Sequence, residues 1–131
     1  MKLEEFRSQQ KWNKGYSFEG ISSIGANGAI VHYRPEPGKA AIINNKEMYL
    51  LDNGGQYLDG TTDTTRTTHF GQPTEEEIDC YTRVLLGNLD VEMVKFPKGK
   101  KYSGADIDVL ARRYLWEVRN QNPLSQYLGW P

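Results

Sequence analysis

Asp52 and Asp63 are the residues of this chain whose type and setting could do chemistry. Asp52 directly follows the apolar run Met48-Tyr49-Leu50-Leu51. An aspartate at the end of a buried strand is costly unless something pairs with it. A divalent metal ion is one such partner, and Arg66 is another. Asp63 lies eleven residues further on, in the threonine-rich run 61–68, whose β-branched residues favour a strand. Carboxylates suit hard ions such as manganese and magnesium. The other usual ligands are scarce: the chain has two histidines, His32 and His69, and one cysteine, Cys80. None of them has the close partner that a zinc site needs, and a single cysteine forms no internal disulfide.

The segment 50–69, LLDNGGQYLDGTTDTTRTTH, must position the two aspartates. It reads as a β-hairpin whose Asp59-Gly60 pair suits a type I′ turn. That turn centre puts Gln56 opposite Asp63 and Asp52 opposite Thr67. Asp52, Gln56 and Asp63 then share one sheet face, because side chains repeat every two residues. The two aspartates would be offset by four residues, roughly 13 Å along an ideal strand. Twist, or a bulge at Gly54-Gly55, would have to bring them within reach of one ion. On the residues alone, the pair are metal ligands or else turn, cap or salt-bridge carboxylates, with Arg66 as the nearby cation.

Around this hairpin the pattern predicts an α+β chain. Residues 1–11 read as a helix with only Leu3 and Phe6 as apolar anchors. Residues 16–24 read as extended, with Tyr16, Phe18 and Ile24 on one parity. Gly25-Ala26-Asn27-Gly28 is a turn signal, the short run 29–33 follows it, and Arg34-Pro35-Glu36-Pro37-Gly38 breaks regular structure. Residues 40–44 and 48–52 are short apolar runs of strand type with Asn44-Asn45 between them. A helix over about 73–94 opens with the capping pair Thr74 and Glu77, and it carries Ile78, Tyr81, Val84, Leu85, Leu89 and Met93 on one face. A second helix over about 103–119 carries Ile107, Leu110, Ala111, Tyr114, Leu115 and Val118. No repeat or linker divides the chain, so residues 1–131 are expected to be a single incomplete domain, with 118–131 as a divergent tail.

Composition narrows the function classes. The 131 residues are 37% hydrophobic and 25% charged, and 16 basic residues face 17 acidic ones for a net charge of −1. No basic excess points to nucleic acid and no cationic stripe to a membrane surface. No apolar run approaches the roughly 18–20 residues of a membrane span. The start, MKLEEF, has no apolar signal region. A cytoplasmic location is the expectation.

The wording of several segments is specific. The run LLDNGGQYLDGTTDTTRTTHFGQPTEEE resembles the part of Xaa-Pro aminopeptidases that carries the first two metal ligands. The upstream EEFRSQQ and GISSIGANGAIVHYRP, and the downstream CYTRVLLG and GADIDVLARRYLWE, resemble the same family in the same order, over about residues 3–117. The resemblance implies a pita-bread fold around a curved antiparallel sheet, with hairpin 48–70 and helices 73–94 and 103–119. It implies a site of two metal ions, usually Mn2+, held by two Asp, one His and two Glu. Asp52 matches the first aspartate, and Asp63 matches the second, which bridges both ions. His32 matches a histidine that contacts substrate near the scissile bond, and His69 fits the His-Phe-Gly exit from the strand as a structural residue. The implied substrate is a peptide with proline in second position, from which the first residue is removed; the metal ions would activate water and stabilise the developing oxyanion.

The resemblance breaks after Trp116-Glu117. The family continues into a His-Gly-Thr-Gly-His-Gly type loop, whereas this chain reads VRNQNPLSQYLGWP. No histidine follows His69, so only two of the five ligands have counterparts. The chain is expected to be a fragment of the catalytic domain, inactive alone. The alternative expectation is an interaction module that associates with other chains through an uncovered sheet and the aromatic tail, Tyr127-Leu128-Gly129-Trp130, which leaves room for a homo-oligomer.

Overall fold

In the computed structural model the described residues are 2–117, so the tail, with Val118 and Trp130, lies outside them. The chain divides into two compact units, Met1–Pro73 and Thr74–Pro131.

The first unit begins with helix α1, Lys2–Ser8, shorter than the run 1–11. Its three-apart ion pairs, Lys2–Glu5 and Arg7–Glu4, support it. Six strands follow: β1 (Asn13–Tyr16), β2 (Ile21–Ile24), β3 (Met48–Asn53), β4 (Gly55–Tyr57), β5 (Gly60–Thr61) and β6 (Thr64–His69). They form two antiparallel three-stranded sheets, β1-β4-β5 and β2-β3-β6. The extended segment 16–24 therefore runs from the last residue of β1, in one sheet, through a non-strand stretch to β2, in the other. The small core sits under β2, where Ile21, Ile24 and Ser23 are buried.

One expected strand is absent. The run 40–44 pairs with nothing, and Ile42 is 85% exposed. Both edges of β3 are taken by β2 and β6, so no slot beside it remains. Residues 25–29 form a short 3₁₀ helix instead of a simple turn, and His32 lies in the turn after it rather than at a strand end. His32 has a φ of 56°, a left-handed conformation that histidine tolerates better than bulkier residues.

The second unit is an antiparallel-type pairing of helices α2 (Glu75–Glu92) and α3 (Gly104–Trp116). The Thr74 cap forms as the sequence indicates: Glu77 N–H donates to Thr74 Oγ1 at 3.2 Å, and Thr74 N–H donates to Glu77 Oε2 at 2.7 Å. The helices touch through a small and polar face. A Cβ added at Gly87 would lie 2.2 Å from Ala111 O. Arg83 Nη1 donates to Tyr114 O at 3.0 Å, and Arg113 pairs with Asp90 at 2.6 Å. The apolar stripe of α2 lies elsewhere: Ile78, Val84, Leu85 and Met93 are all exposed. Cys80 is half-buried, and burial, with Asp79 and Glu76 adding to it, pushes its thiol upward, so it stays protonated at neutral pH.

At the start of α3, Ser103 N–H and Oγ donate to the Asp106 carboxylate at 2.6 and 2.8 Å. These bonds hold Asp106 below the usual carboxylate range, the backbone bond first. A lowered folded value means the stabilisation is full above the ordinary range, about pH 4, and fades as pH falls through the lowered one. The Asp106→Ala variant is expected to melt at lower temperature than the parent at pH 7, with the gap closing in acid. Thermal unfolding of both proteins, followed by helical circular dichroism across pH, measures this.

Candidate metal site

The hairpin 48–69 carries the site, and its register differs from the expected one. Tyr57 pairs with Gly60 and Gln56 with Thr61, so the loop residues are Leu58 and Asp59. Neither has a positive φ, which excludes a type I′ turn. Gly60 is drawn into β5, and Leu58 N–H donates to Trp12 O at 3.1 Å, anchoring the loop to the α1–β1 connection. The same register runs down the hairpin: Asn53 pairs with Thr64 and Asp52 with Thr65. By count, Asp63 stands opposite Gly54.

That two-residue change moves the aspartates together. By that count Asp52 and Asp63 would be diagonal neighbours on one face, for which an ideal ladder gives about 7–8 Å between backbones. Asp63 itself lies just outside the strands, between β5 and β6, and is exposed. Gln56 and Thr61 share the face, and Thr61 Oγ1 donates to Gln56 Oε1 at 2.8 Å.

Arg66 is not the partner of either aspartate. It pairs with Leu51 in the ladder, and so points away from the face of Asp52. Its guanidinium donates to Thr65 O at 2.8 Å. Asp52 Oδ1 is buried and has no hydrogen-bond partner. A buried carboxylate oxygen left alone costs about 1–3 kcal/mol or more. A hard divalent cation would supply the missing positive charge, and an all-oxygen donor set is the chemistry such ions prefer. The two carboxylates therefore fit a metal, although among the described residues no group of three or more His, Cys, Asp and Glu side chains forms a cluster.

No hydrogen bond or ion pair among the described residues joins His32 to either aspartate. Its segment is tied down by the Arg34–Glu19 ion pair. β2 is the neighbour of β3, with Ile21 opposite Asp52, and the loop after β2 carries His32. His69, at the far end of β6, accepts from Gly71 N–H through Nδ1 at 3.0 Å, while its Nε2 is buried without a partner.

Between the two sheets the ladder is distorted. Thr62 N–H donates to Gly55 O at 2.9 Å, but Gly55 N–H donates to Thr62 Oγ1 at 2.9 Å rather than to the Thr62 carbonyl. That carbonyl instead accepts from Ser17 Oγ at 2.9 Å, and Ser17 N–H donates to Gly54 O at 3.2 Å. A Cβ on Gly54 would lie 1.9 Å from Thr62 O. The Gly54-Gly55 pair marked this spot in the sequence; nothing there marked Ser17.

This combination of two antiparallel sheets, a long hairpin with paired carboxylates and a following helix pair is the pita-bread arrangement of metal-dependent peptidases. The chain belongs to metallopeptidase family M24, whose sequence profile matches residues 1–130. It is 58% identical over 116 residues to a probable Xaa-Pro aminopeptidase P of Sclerotinia sclerotiorum, covering 88% of this chain and 19% of that protein. It is 56% identical over 117 residues to Xaa-Pro aminopeptidase 1 of Dictyostelium discoideum, covering 89% of this chain and 18% of that protein. Among solved structures it resembles the X-prolyl aminopeptidase of Caenorhabditis elegans, described as a cytosolic enzyme with a di-nuclear active site, with a TM-score of 0.80, 36% identity, and coverage of 89% of this chain and 19% of that one. A prolidase from Thermococcus sibiricus matches with a TM-score of 0.72, 27% identity, and coverage of 89% of this chain and 30% of that one. The chain thus spans about a fifth of the length of the curated relatives it matches. No helix among the described residues is long and apolar enough to cross a membrane.

Proposed function

We propose that this chain is the part of a manganese-dependent Xaa-Pro aminopeptidase that supplies the first two metal-binding carboxylates, Asp52 and Asp63. The observation that carries the reading is the buried, partnerless Oδ1 of Asp52, on a hairpin whose register, counted on from its pairs, puts Asp63 across from Gly54. When bound, the metal would supply Lewis-acid polarisation of the scissile carbonyl and activation of water. The chain's own part is to hold two carboxylates at fixed spacing and to present His32 toward a peptide whose second residue is proline. Two carboxylates alone bind divalent ions weakly, since affinity rises with ligand number and preorganisation. The 131 residues by themselves hydrolyse no Xaa-Pro peptide. The relative of known structure described as cytosolic supports a cytoplasmic location.

The test is titration of the isotope-labelled 131-residue chain with Mn2+, read by paramagnetic broadening of its amide signals. Broadening centred on residues 52–54 and 62–64, and absent in Asp63→Ala, is expected. Broadening centred elsewhere, or hydrolysis of an Xaa-Pro peptide by the chain alone, overturns the reading.

A second reading, an interaction module, is favoured by the exposed stripe on α2, where Met93 is 68% and Val84 52% exposed. Apolar rows of this kind mark association surfaces. It requires the chain to self-associate or to bind a longer relative in sedimentation, and a stable monomer in both mixtures rules it out.

A further inference from the structure

We infer that Ser17 and Thr62 are positioning residues for the Asp63 carboxylate, an inference that deepens the metal-site reading and rests on it. In a regular antiparallel ladder, the two residues of each hydrogen-bonded pair exchange both of their N–H···O=C bonds, and these pairs alternate with non-hydrogen-bonded ones. Gly55 and Thr62 exchange only one. The Thr62 hydroxyl takes the Gly55 N–H in place of the Thr62 carbonyl, at 2.9 Å. The released carbonyl turns to Ser17 Oγ, also at 2.9 Å, across a separation of 45 residues in sequence. Gly54 permits the turn, because a side chain there would occupy the place of the carbonyl.

The consequence falls on Asp63 through covalent geometry. The Thr62 carbonyl and the Asp63 N–H belong to one planar peptide unit. Where Ser17 holds the oxygen, the Asp63 nitrogen is held as well, and the direction of the Asp63 side chain has lost one of its freedoms. The exchange also ends the ladder at this point. Asp63 is thereby left outside both strands, between β5 and β6, with the peptide before it held by Ser17. Thr62 contributes its hydroxyl as a substitute acceptor, so that the buried Gly55 N–H is not stranded. Valine cannot do this, and serine can.

The experiment compares Ser17→Ala, Thr62→Val and Thr62→Ser in the 131-residue chain. Two readouts are taken: Mn2+ broadening at residues 52–54 and 62–64, and the amide three-bond couplings of Thr62 and Asp63, which report backbone φ. Ser17→Ala and Thr62→Val are expected to raise the Mn2+ concentration for half-maximal broadening about tenfold, the lower end of the range for groups that orient metal ligands. Thr62→Ser is expected to restore the parent value. Signals of residues 21–24 and 48–51, in the same compact unit as Ser17 and Thr62, should stay unchanged, which separates a local effect from unfolding. Parent-like broadening in Ser17→Ala and Thr62→Val overturns the inference. If Mn2+ leaves the parent chain untouched, the ligand reading fails, and the couplings decide the inference alone. A changed Asp63 coupling in the two disruptive variants, restored in Thr62→Ser, supports it; an unchanged one overturns it.

Discussion

Gly54→Ala is expected to cost the chain about 3 kcal/mol or more of stability and to abolish the Mn2+ response. The new Cβ would meet Thr62 O at 1.9 Å, Ser17 Oγ at 2.4 Å and the Thr62 carbonyl carbon at 2.7 Å. Two of these three neighbours are backbone atoms, so the clash cannot be relieved by a rotamer change. Overpacking of a fitted position costs about 1–3 kcal/mol, and more where the backbone must move. Against a total stability on the order of 5–15 kcal/mol, that is a large fraction. Gly60→Ala is the internal control: nothing lies within 4 Å of its added Cβ, and its φ is not positive. Urea unfolding of the two variants should give a clearly lower midpoint for Gly54→Ala and a nearly unchanged one for Gly60→Ala. Equal midpoints would mean that the Thr62 carbonyl is not held where it is described.

Asp52→Val is expected to act in opposite directions on stability and on binding. Valine favours the strand, fills a similar volume and removes the buried oxygen that has no partner. In metal-free buffer the variant should be more stable than the parent by about 1 kcal/mol, at the low end for an unsatisfied polar group because Asp52 is only half-buried. The Mn2+ response should vanish. A residue whose replacement stabilises the fold while it removes binding is one kept for function, because native chains break local rules chiefly at such sites. Thermal unfolding with and without Mn2+ checks both halves. A destabilised Asp52→Val would assign Asp52 a structural partner and would remove the main support for the metal reading.

The alternative of a carboxylate held by Arg66 illustrates how one ladder position decides chemistry. In sequence, Arg66 follows Asp63 by three residues and lies on the strand expected to face Asp52. In the sheet it stands opposite Leu51, one residue out of phase with Asp52, and therefore on the other face. What looked like an available counter-ion is removed from the site by the period of the strand.

Much of this protein is written locally. The Thr74 and Ser103 starts of α2 and α3 depend on bonds that span three residues, and both form where their residue types indicate. The existence of the hairpin, the two aspartates and membership of the peptidase family are likewise legible, because they rest on composition and residue order. The stripe of α2 is legible as a periodicity, but its exposure is not, since that depends on what else packs against it. The run 40–44 has strand-forming residues and no strand, because β2 and β6 already occupy both edges of β3. The hairpin register was the decisive case. Leu58-Asp59 and Asp59-Gly60 are both plausible loops, and the local preference for Asp-Gly points to the second. Tertiary contacts chose the first: Leu58 N–H to Trp12 O at one end, and the Ser17–Thr62 bond in the middle. Those partners are some 45 residues apart, beyond the reach of any turn preference, and they accompany the register that the hairpin adopts. Residue type and order determined which carboxylates the chain offers; only the folded hairpin decided the register between them.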